Sequence, residues 1–323
     1  MVVPVLLFLL GFLLLIKGGD WFVDGAVGIA HRFHLPELLI GATVVSIGTT
    51  LPEVMVSTQA AFQGNAGISY GNAIGSIICN TSLIAALTVA IKPGIINRDS
   101  LKLPAAFFAG AALIYTVIVW TGGTFLRWHG LMFLAIFLWY MIQTVVHMKT
   151  HPDSVADSGE EESSKELPLW KEVVMMVVGA AAIALGANLL VNNGTLIAKM
   201  LGVPDSVIGL TMVALGTSLP ELITAVTSLI KGHSALSLGN IIGANLFNIV
   251  LVSGMAITIS PFSIPAEKTI AGMNASLVVD IPVMLFVMAV LCIPALVKGR
   301  LSRWQGILLL CTYVAFTAFQ FFF

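Results

Sequence analysis

Charge is what this chain has least of. Only 10% of its 323 residues are Asp, Glu, Lys or Arg, against about 25% in a typical soluble protein, so it could not cover its own surface in water. An excess of one sign is missing too. Fifteen Lys+Arg and sixteen Asp+Glu leave a net charge of −1, which gives no basic field for a nucleic-acid partner. Cysteine is scarce: Cys79, Cys292 and Cys311 are odd in number and scattered through apolar runs. That pattern excludes a disulfide framework and a cysteine zinc site. No ten-residue stretch alternates polar and apolar residues, so a membrane β-barrel is excluded as well. What remains is apolar, at 58% of residues and a mean hydropathy of +1.01. The composition is that of an integral membrane protein.

A membrane-crossing helix needs about 20 residues. Apolar runs between polar breaks give ten such spans, beginning near residues 2, 36, 67, 103 and 130, then 171, 204, 235, 273 and 303. The first lacks the basic start and small-residue cleavage site of a signal peptide, and it runs long and tilted into Asp20-Trp21-Phe22-Val23-Asp24. With the N-terminus outside, five loops face the cytoplasm. They hold Lys17 and Arg32; Lys92, Arg98 and Lys102; Lys149, Lys165 and Lys171; Lys231; and Lys298, Arg300 and Arg303. That is 12 of the 15 basic residues, leaving Arg127, Lys199 and Lys268 outside. The asymmetry places both termini outside the inner (plasma) membrane. The polar, acidic stretch 151–168 then reads as a solvated cytoplasmic linker between residues 1–150 and 169–323.

Those two parts are written twice. Pro36-Glu-Leu-Leu-Ile-Gly-Ala-Thr-Val-Val-Ser-Ile-Gly-Thr-Thr-Leu-Pro-Glu53 recurs 168 residues later as Pro204-Asp-Ser-Val-Ile-Gly-Leu-Thr-Met-Val-Ala-Leu-Gly-Thr-Ser-Leu-Pro-Glu221. At the same offset Gly71-Asn-Ala-Ile-Gly-Ser-Ile-Ile-Cys-Asn80 matches Gly239-Asn-Ile-Ile-Gly-Ala-Asn-Leu-Phe-Asn248. Five spans per half is an odd number, so the second half enters the membrane upside down. The expected fold is all-α, with ten transmembrane helices as two inverted five-helix repeats. Inverted repeats mark secondary transporters, whose substrate sites lie near the midplane where broken helices meet.

The repeated residues carry a specific chemistry. Gly48-Thr-Thr-Leu-Pro-Glu53 and Gly216-Thr-Ser-Leu-Pro-Glu221 each fall in the middle of an apolar span. Pro52 and Pro220 have no N–H, so the carbonyls of Gly48 and Gly216 lose their helical donors. Free carbonyls at that depth must face protein or a wet cavity. Each glutamate costs at least a few kcal/mol in a bilayer, and two brought together would repel. A bound cation relieves both penalties. Calcium takes about 6–8 oxygens, which two carboxylates, a carbonyl from each unwound segment and the amide oxygens of Asn80 and Asn248 could supply. No His, Cys or Met completes the set, which disfavours soft transition metals. Asp280 has no counterpart at the repeat offset, where Ala112 stands, and reads as structural. Glu37 and Asp205 suit helix starts, and Cys79 suits packing.

At these residues the chain resembles the cation/calcium exchanger superfamily, in particular its prokaryotic sodium/calcium exchangers, over its whole length. The resemblance implies four adjoining cation sites at the centre of the inverted repeat. Calcium ligands would be the side chains of Glu53 and Glu221 and the carbonyls of Thr49 and Thr217. Sodium ligands would include the carbonyls of Ser46 and Ala214 and the side chains of Thr50, Ser76, Ser218 and both glutamates, with Asn80 and Asn248 flanking the middle site. The first helix of each half would slide against the rest to alternate access. Two departures stand out. Asn248 replaces the Asp of potassium-dependent relatives, and Ala244 removes a hydroxyl that several relatives offer to sodium.

The expected activity is antiport of Na⁺ against Ca²⁺ by a monomer in the lipid bilayer, with no cofactor. Two carboxylates neutralise one Ca²⁺, whereas three Na⁺ leave the loaded site at +1, so exchange in that ratio would be electrogenic. A proton/calcium antiporter is the nearest alternative, because protons compete for paired carboxylates. A passive channel is a further one. An intramembrane hydrolase using Glu as base lacks support, since the chain has no HExxH motif and no Gly-x-Ser-x-Gly elbow.

Overall fold

The structure, a computed structural model, describes residues 2–150, 167–201, 216–265, 269–270 and 272–322. Within them the chain is all-helical apart from two-residue strand pairs. The helices are α1 (Val2–Arg32), α2 (Glu37–Phe62), α3 (Ala66–Ile91), α4 (Arg98–Gly122), α5 (Arg127–Thr150), α6 (Leu169–Met200), α7 (Leu219–Ile230), α8 (Ser234–Ile259), α9 (Ser276–Lys298) and α10 (Arg303–Phe322). Eight of these are long and apolar enough to cross a membrane by length and composition, while α7 is shorter. Residues 151–166 of the acidic linker 151–168, and the start of the repeated segment at Pro204, with Asp205 and Ala214, lie outside the described residues.

Local chemistry sets the helix ends. The Asn65 side chain accepts from Ile68 N and opens α3, and Asn97 accepts from the N–H groups of Asp99 and Ser100 to open α4. Gly123 (φ 62°) and Gly299 (φ 64°) close α4 and α9 in the left-handed conformation, which glycine adopts at little steric cost. Glu37 is the first residue of α2, as its sequence position implies. Asp280 accepts from Gln320 Nε2 at 2.9 Å, tying α9 to α10.

The helices form two apolar clusters. The larger takes in α3, α4, α5, α8, α9 and α10, with α8 at its centre: every residue from Leu236 to Val250 is buried. The smaller one is built from α1 and α6, with Leu15, Phe22, Val23, Ala26, Ile183 and Ala187, and meets Ile40 and Val45 of α2. The α1–α6 pair is antiparallel and very close. A Cβ on Gly11 would lie 2.8 Å from the Gly186 carbonyl oxygen, and one on Gly18 2.9 Å from that of Gly179. Only glycine permits such backbone contact. Gly11 and Gly179 stand 168 residues apart, as do Gly18 and Gly186, so one contact is made twice with the partners exchanged.

The same exchange recurs elsewhere. Gly94 pairs with Leu301 and Ile95 with Arg300 in one antiparallel ladder; in the other, Phe262 pairs with Phe125 and Ser263 with Thr124. Residues 94–95 and 262–263 are again 168 apart. Helix α5 packs on the C-terminal part of α8, and α10 packs on the C-terminal part of α3. Each half thus completes the other.

Candidate cation site

Glu53 projects from α2 and Glu221 from the first turn of α7, and both are fully buried. They lie close enough for each carboxylate to act on the other electrostatically. The two prolines do different things. Pro52 sits inside the continuous helical run Ser46–Phe62. Pro220 occupies the first turn of α7, after a turn at Thr217 and Ser218. Proline is tolerated there because a first-turn N–H has no helical acceptor. The second motif therefore opens a helix, whereas the first lies within one.

Asn80 and Asn248 each begin a single π-helical turn, Asn80–Ala85 in α3 and Asn248–Ser253 in α8. Such turns interrupt the regular hydrogen-bond ladder and are frequent at functional sites. A third one, Gly41–Val45, lies in α2. Side chains satisfy carbonyls at these turns: Ser46 Oγ donates to Gly41 O at 2.7 Å, Tyr140 Oη to Ala42 O at 2.9 Å, and Ser253 Oγ to Asn248 O at 2.9 Å. The packing crosses the halves. Helix α7, carrying Glu221, lies against the Asn80 turn, and α2, carrying Glu53, lies against the Asn248 turn.

Six side chains of this region have buried polar atoms with no hydrogen-bond partner among the described residues: both oxygens of Glu53 and Glu221, both amide atoms of Asn80 and Asn248, and the hydroxyls of Thr50 and Ser218. Native proteins pair more than about 90% of such groups, and an unpaired buried charge is costlier than any neutral one. Two acids with neutral amide and hydroxyl oxygens form a donor set for a hard cation. Thr49 is buried beside Glu221, and Ser76 is buried one turn before Asn80. Thr217 is half-buried. Cys79 lies beside the Ser218 and Tyr313 hydroxyls. A cleft lined by Phe22, Gly48, Thr49, Pro52, Ala180, Ile183, Ala184 and Pro220 borders the region where α1 and α6 meet α2 and α7.

Two residues that sequence reasoning does not single out shape this site. Asn240 Oδ1 accepts from Thr49 Oγ1 at 3.0 Å, and its backbone oxygen accepts from Ser46 Oγ at 2.9 Å. Asn72 Nδ2 donates to the Glu53 carbonyl at 3.1 Å and to Ser57 Oγ at 2.8 Å. Both stand second in the repeated Gly-Asn-x-Ile-Gly, so the 168-residue offset was the signal that marks them. The α2–α8 contact that Asn240 spans is close: a Cβ on Gly239 would overlap the Leu38 carbonyl, and one on Gly243 the Ser46 hydroxyl.

Known proteins resemble this chain over nearly its whole length. The sequence profile described as sodium/calcium exchanger protein matches residues 3–146 and 171–322. The chain belongs to that family. It is 31% identical to the sodium/calcium exchanger MaX1 of Methanosarcina acetivorans, over 98% of both chains. It is 34% identical to the inner membrane protein YrbG of Escherichia coli, over 81% of both. Its fold superposes on a solved structure of the sodium-calcium exchanger NCX_Mj soaked with Na⁺ and Sr²⁺, with a TM-score of 0.82, 32% identity, and coverage of 98% of this chain and 99% of that one. This exchanger is therefore a multi-pass membrane transporter and not an enzyme.

Proposed function

We propose that this exchanger moves Na⁺ against Ca²⁺ by alternating access, as two inverted five-helix repeats of ten spans in all, residues 1–150 and 169–323, joined by a cytoplasmic linker over 151–168. The partner-exchanged contacts Gly11–Gly186 and Gly18–Gly179, with the matched strand ladders, support the inversion. The basic-residue asymmetry supports both termini outside the inner (plasma) membrane, and the protein is read as a monomer without cofactor.

One observation carries the reading. Glu53 and Glu221, at equal positions of the duplicated motif, are fully buried, and neither carboxylate has a hydrogen-bond partner of normal geometry among the described residues. In this reading Ca²⁺ is held by those carboxylates and by the carbonyls of Thr49 and Thr217. Na⁺ uses the same acids with Ser46, Thr50, Ser76, Ala214 and Ser218, and Asn80 and Asn248 border the middle position. Three Na⁺ would leave the site one charge more positive than one Ca²⁺, making the cycle electrogenic. Reconstituted vesicles test this: Na⁺-dependent Ca²⁺ uptake should respond to an imposed membrane potential. Uptake indifferent to voltage would remove the electrogenic element. Uptake driven by a proton gradient without Na⁺ would replace sodium with protons as the coupling ion.

A further inference from the structure

Helix α1 is held against α7 by charge. Lys231, just past the end of α7, places Nζ 2.7 Å from Asp24 Oδ1, 3.4 Å from Asp20 Oδ1 and 3.2 Å from the Asp20 carbonyl oxygen. Below this bridge Gly19 packs on Ile223 and Thr227 of α7. At the start of α6, Arg32 joins Glu172 through two hydrogen bonds, at 2.9 and 3.2 Å. With the glycine seam, that pair makes α1 and α6 one body.

The duplication allows the opposite face to be read. The counterparts of Asp20, Asp24 and Lys231 at the 168-residue offset are Asn188, Asn192 and Gln63, all neutral. In this structure Asn192 donates to Asn188 within α6 at 2.9 Å, and the Gln63 side chain is exposed, with no hydrogen bond to a described residue. Met55 of α2, the counterpart of Ile223, is 70% exposed, whereas Ile223 is partly buried against the α1–α6 cluster. One interface is closed and charged; at the matching positions of its repeat equivalent the residues are neutral and, among the described residues, Met55 is uncovered. In an inverted repeat the alternate state arises when the two halves exchange conformations. The α1–α7 contact would then part while α6 closes on α2, where the residues matching the latch are neutral.

We propose that Lys231, Asp20 and Asp24 form a latch that holds α1 on α7 and biases the access equilibrium toward the state in which the Lys231 face is closed. This rests on the alternating-access reading. The basic-residue distribution puts that face in the cytoplasm. Partly exposed ion pairs shift an equilibrium by a factor of up to about five, and a ligand's apparent affinity follows the population of the state it can enter.

The test uses the full-length protein in sealed vesicles of known orientation. A Thr227→Cys probe in a Cys311→Ser background is labelled from the Lys231 face with an impermeant thiol reagent, and half-saturating Ca²⁺ is measured on each face. Lys231→Gln, and separately Asp20→Asn with Asp24→Asn, should each raise the labelling rate by about two- to fivefold. Each should lower half-saturating Ca²⁺ on the Lys231 face by a similar factor and raise it on the other. Exchanging the charges, Lys231→Asp with Asp24→Lys, should restore the original values. Building the latch on the opposite face, with Gln63→Lys, Asn188→Asp and Asn192→Asp, should also speed the labelling, because closing α6 on α2 opens the Lys231 face. Unchanged labelling in the neutral variants overturns the latch. Labelling needs no transport, so a labelling shift in a protein that fails to exchange Ca²⁺ would retain the latch and reject the exchange reading instead.

Discussion

Glu53 and Glu221 lie within each other's field, fully buried, and neither carboxylate has a hydrogen-bond partner of normal geometry among the described residues. They come from different halves of the chain and from different helical contexts, one inside a helix and one at the start of another. Two desolvated acids in that relation are unfavourable by several kcal/mol each without a counter-charge. The site is therefore most stable when occupied, and its stability should follow cation concentration.

Replacing either acid should separate stability from function. Glu53→Gln or Glu221→Gln removes a buried charge, so the thermal midpoint in chelator should rise. Binding stabilises a folded state in proportion to the logarithm of ligand concentration above Kd, so Ca²⁺ should raise the wild-type midpoint and leave both variants nearly unmoved. The loss in Ca²⁺ affinity should be at least about thirtyfold, corresponding to about 2 kcal/mol for one missing partner of a buried charge. Thermal scans with and without Ca²⁺ check both signs.

Asn240 should matter without touching the cation. Asn240→Ala strips the acceptor from Thr49 Oγ1, 3.0 Å away, next to a carbonyl assigned to Ca²⁺. Leaving a buried hydroxyl unpaired costs about 1–3 kcal/mol, so half-saturating Ca²⁺ should rise by about tenfold, while Asn240→Gln recovers part of the loss. Equilibrium binding of ⁴⁵Ca²⁺ to purified protein measures this directly.

The glycine seam should show its duplication. Gly18→Ala and Gly179→Ala each put a methyl group against the backbone of the partner helix, and overpacking typically costs about 1–3 kcal/mol. Because the two residues touch, the double variant should cost less or more than the sum, whereas Gly11→Ala with Gly123→Ala should not couple. Thermal midpoints of the single and double variants in detergent decide.

Acidification should inhibit. In the proposed site Ca²⁺ takes both carboxylates ionised, and a proton on either would remove a ligand and a charge, so uptake should fall as pH is lowered and recover on return. Raising Ca²⁺ should shift the inhibition to lower pH, since ion and proton compete for the same oxygens. Initial rates measured against pH at two Ca²⁺ concentrations test the competition.

Much of this was legible in the sequence. Apolar runs mark the helices because bilayer thickness fixes their length, and the offset of 168 exposes both acids because a carboxylate in an apolar run has few other uses. The resemblance to exchangers rests on the same motifs. Other features depend on tertiary contact. Asp20 and Asp24 stay within α1 because Lys231, over 200 residues away, neutralises them. The π turns at Asn80 and Asn248 have no local composition cue, and the different placement of Pro52 and Pro220 is not visible in two nearly identical hexapeptides. Asn72 and Asn240 are marked by the repeat, yet only their hydrogen bonds give them a role.

The central claim is that two acids inherited from one duplicated motif hold the transported ions. Uptake of ⁴⁵Ca²⁺ into proteoliposomes loaded with Na⁺, K⁺ or a proton gradient tests it most directly, with Glu53→Gln and Glu221→Gln alongside. The account predicts uptake with internal Na⁺ alone and none in either variant. Flux that survives glutamine at both positions, or that proceeds without any trans cation, would contradict it.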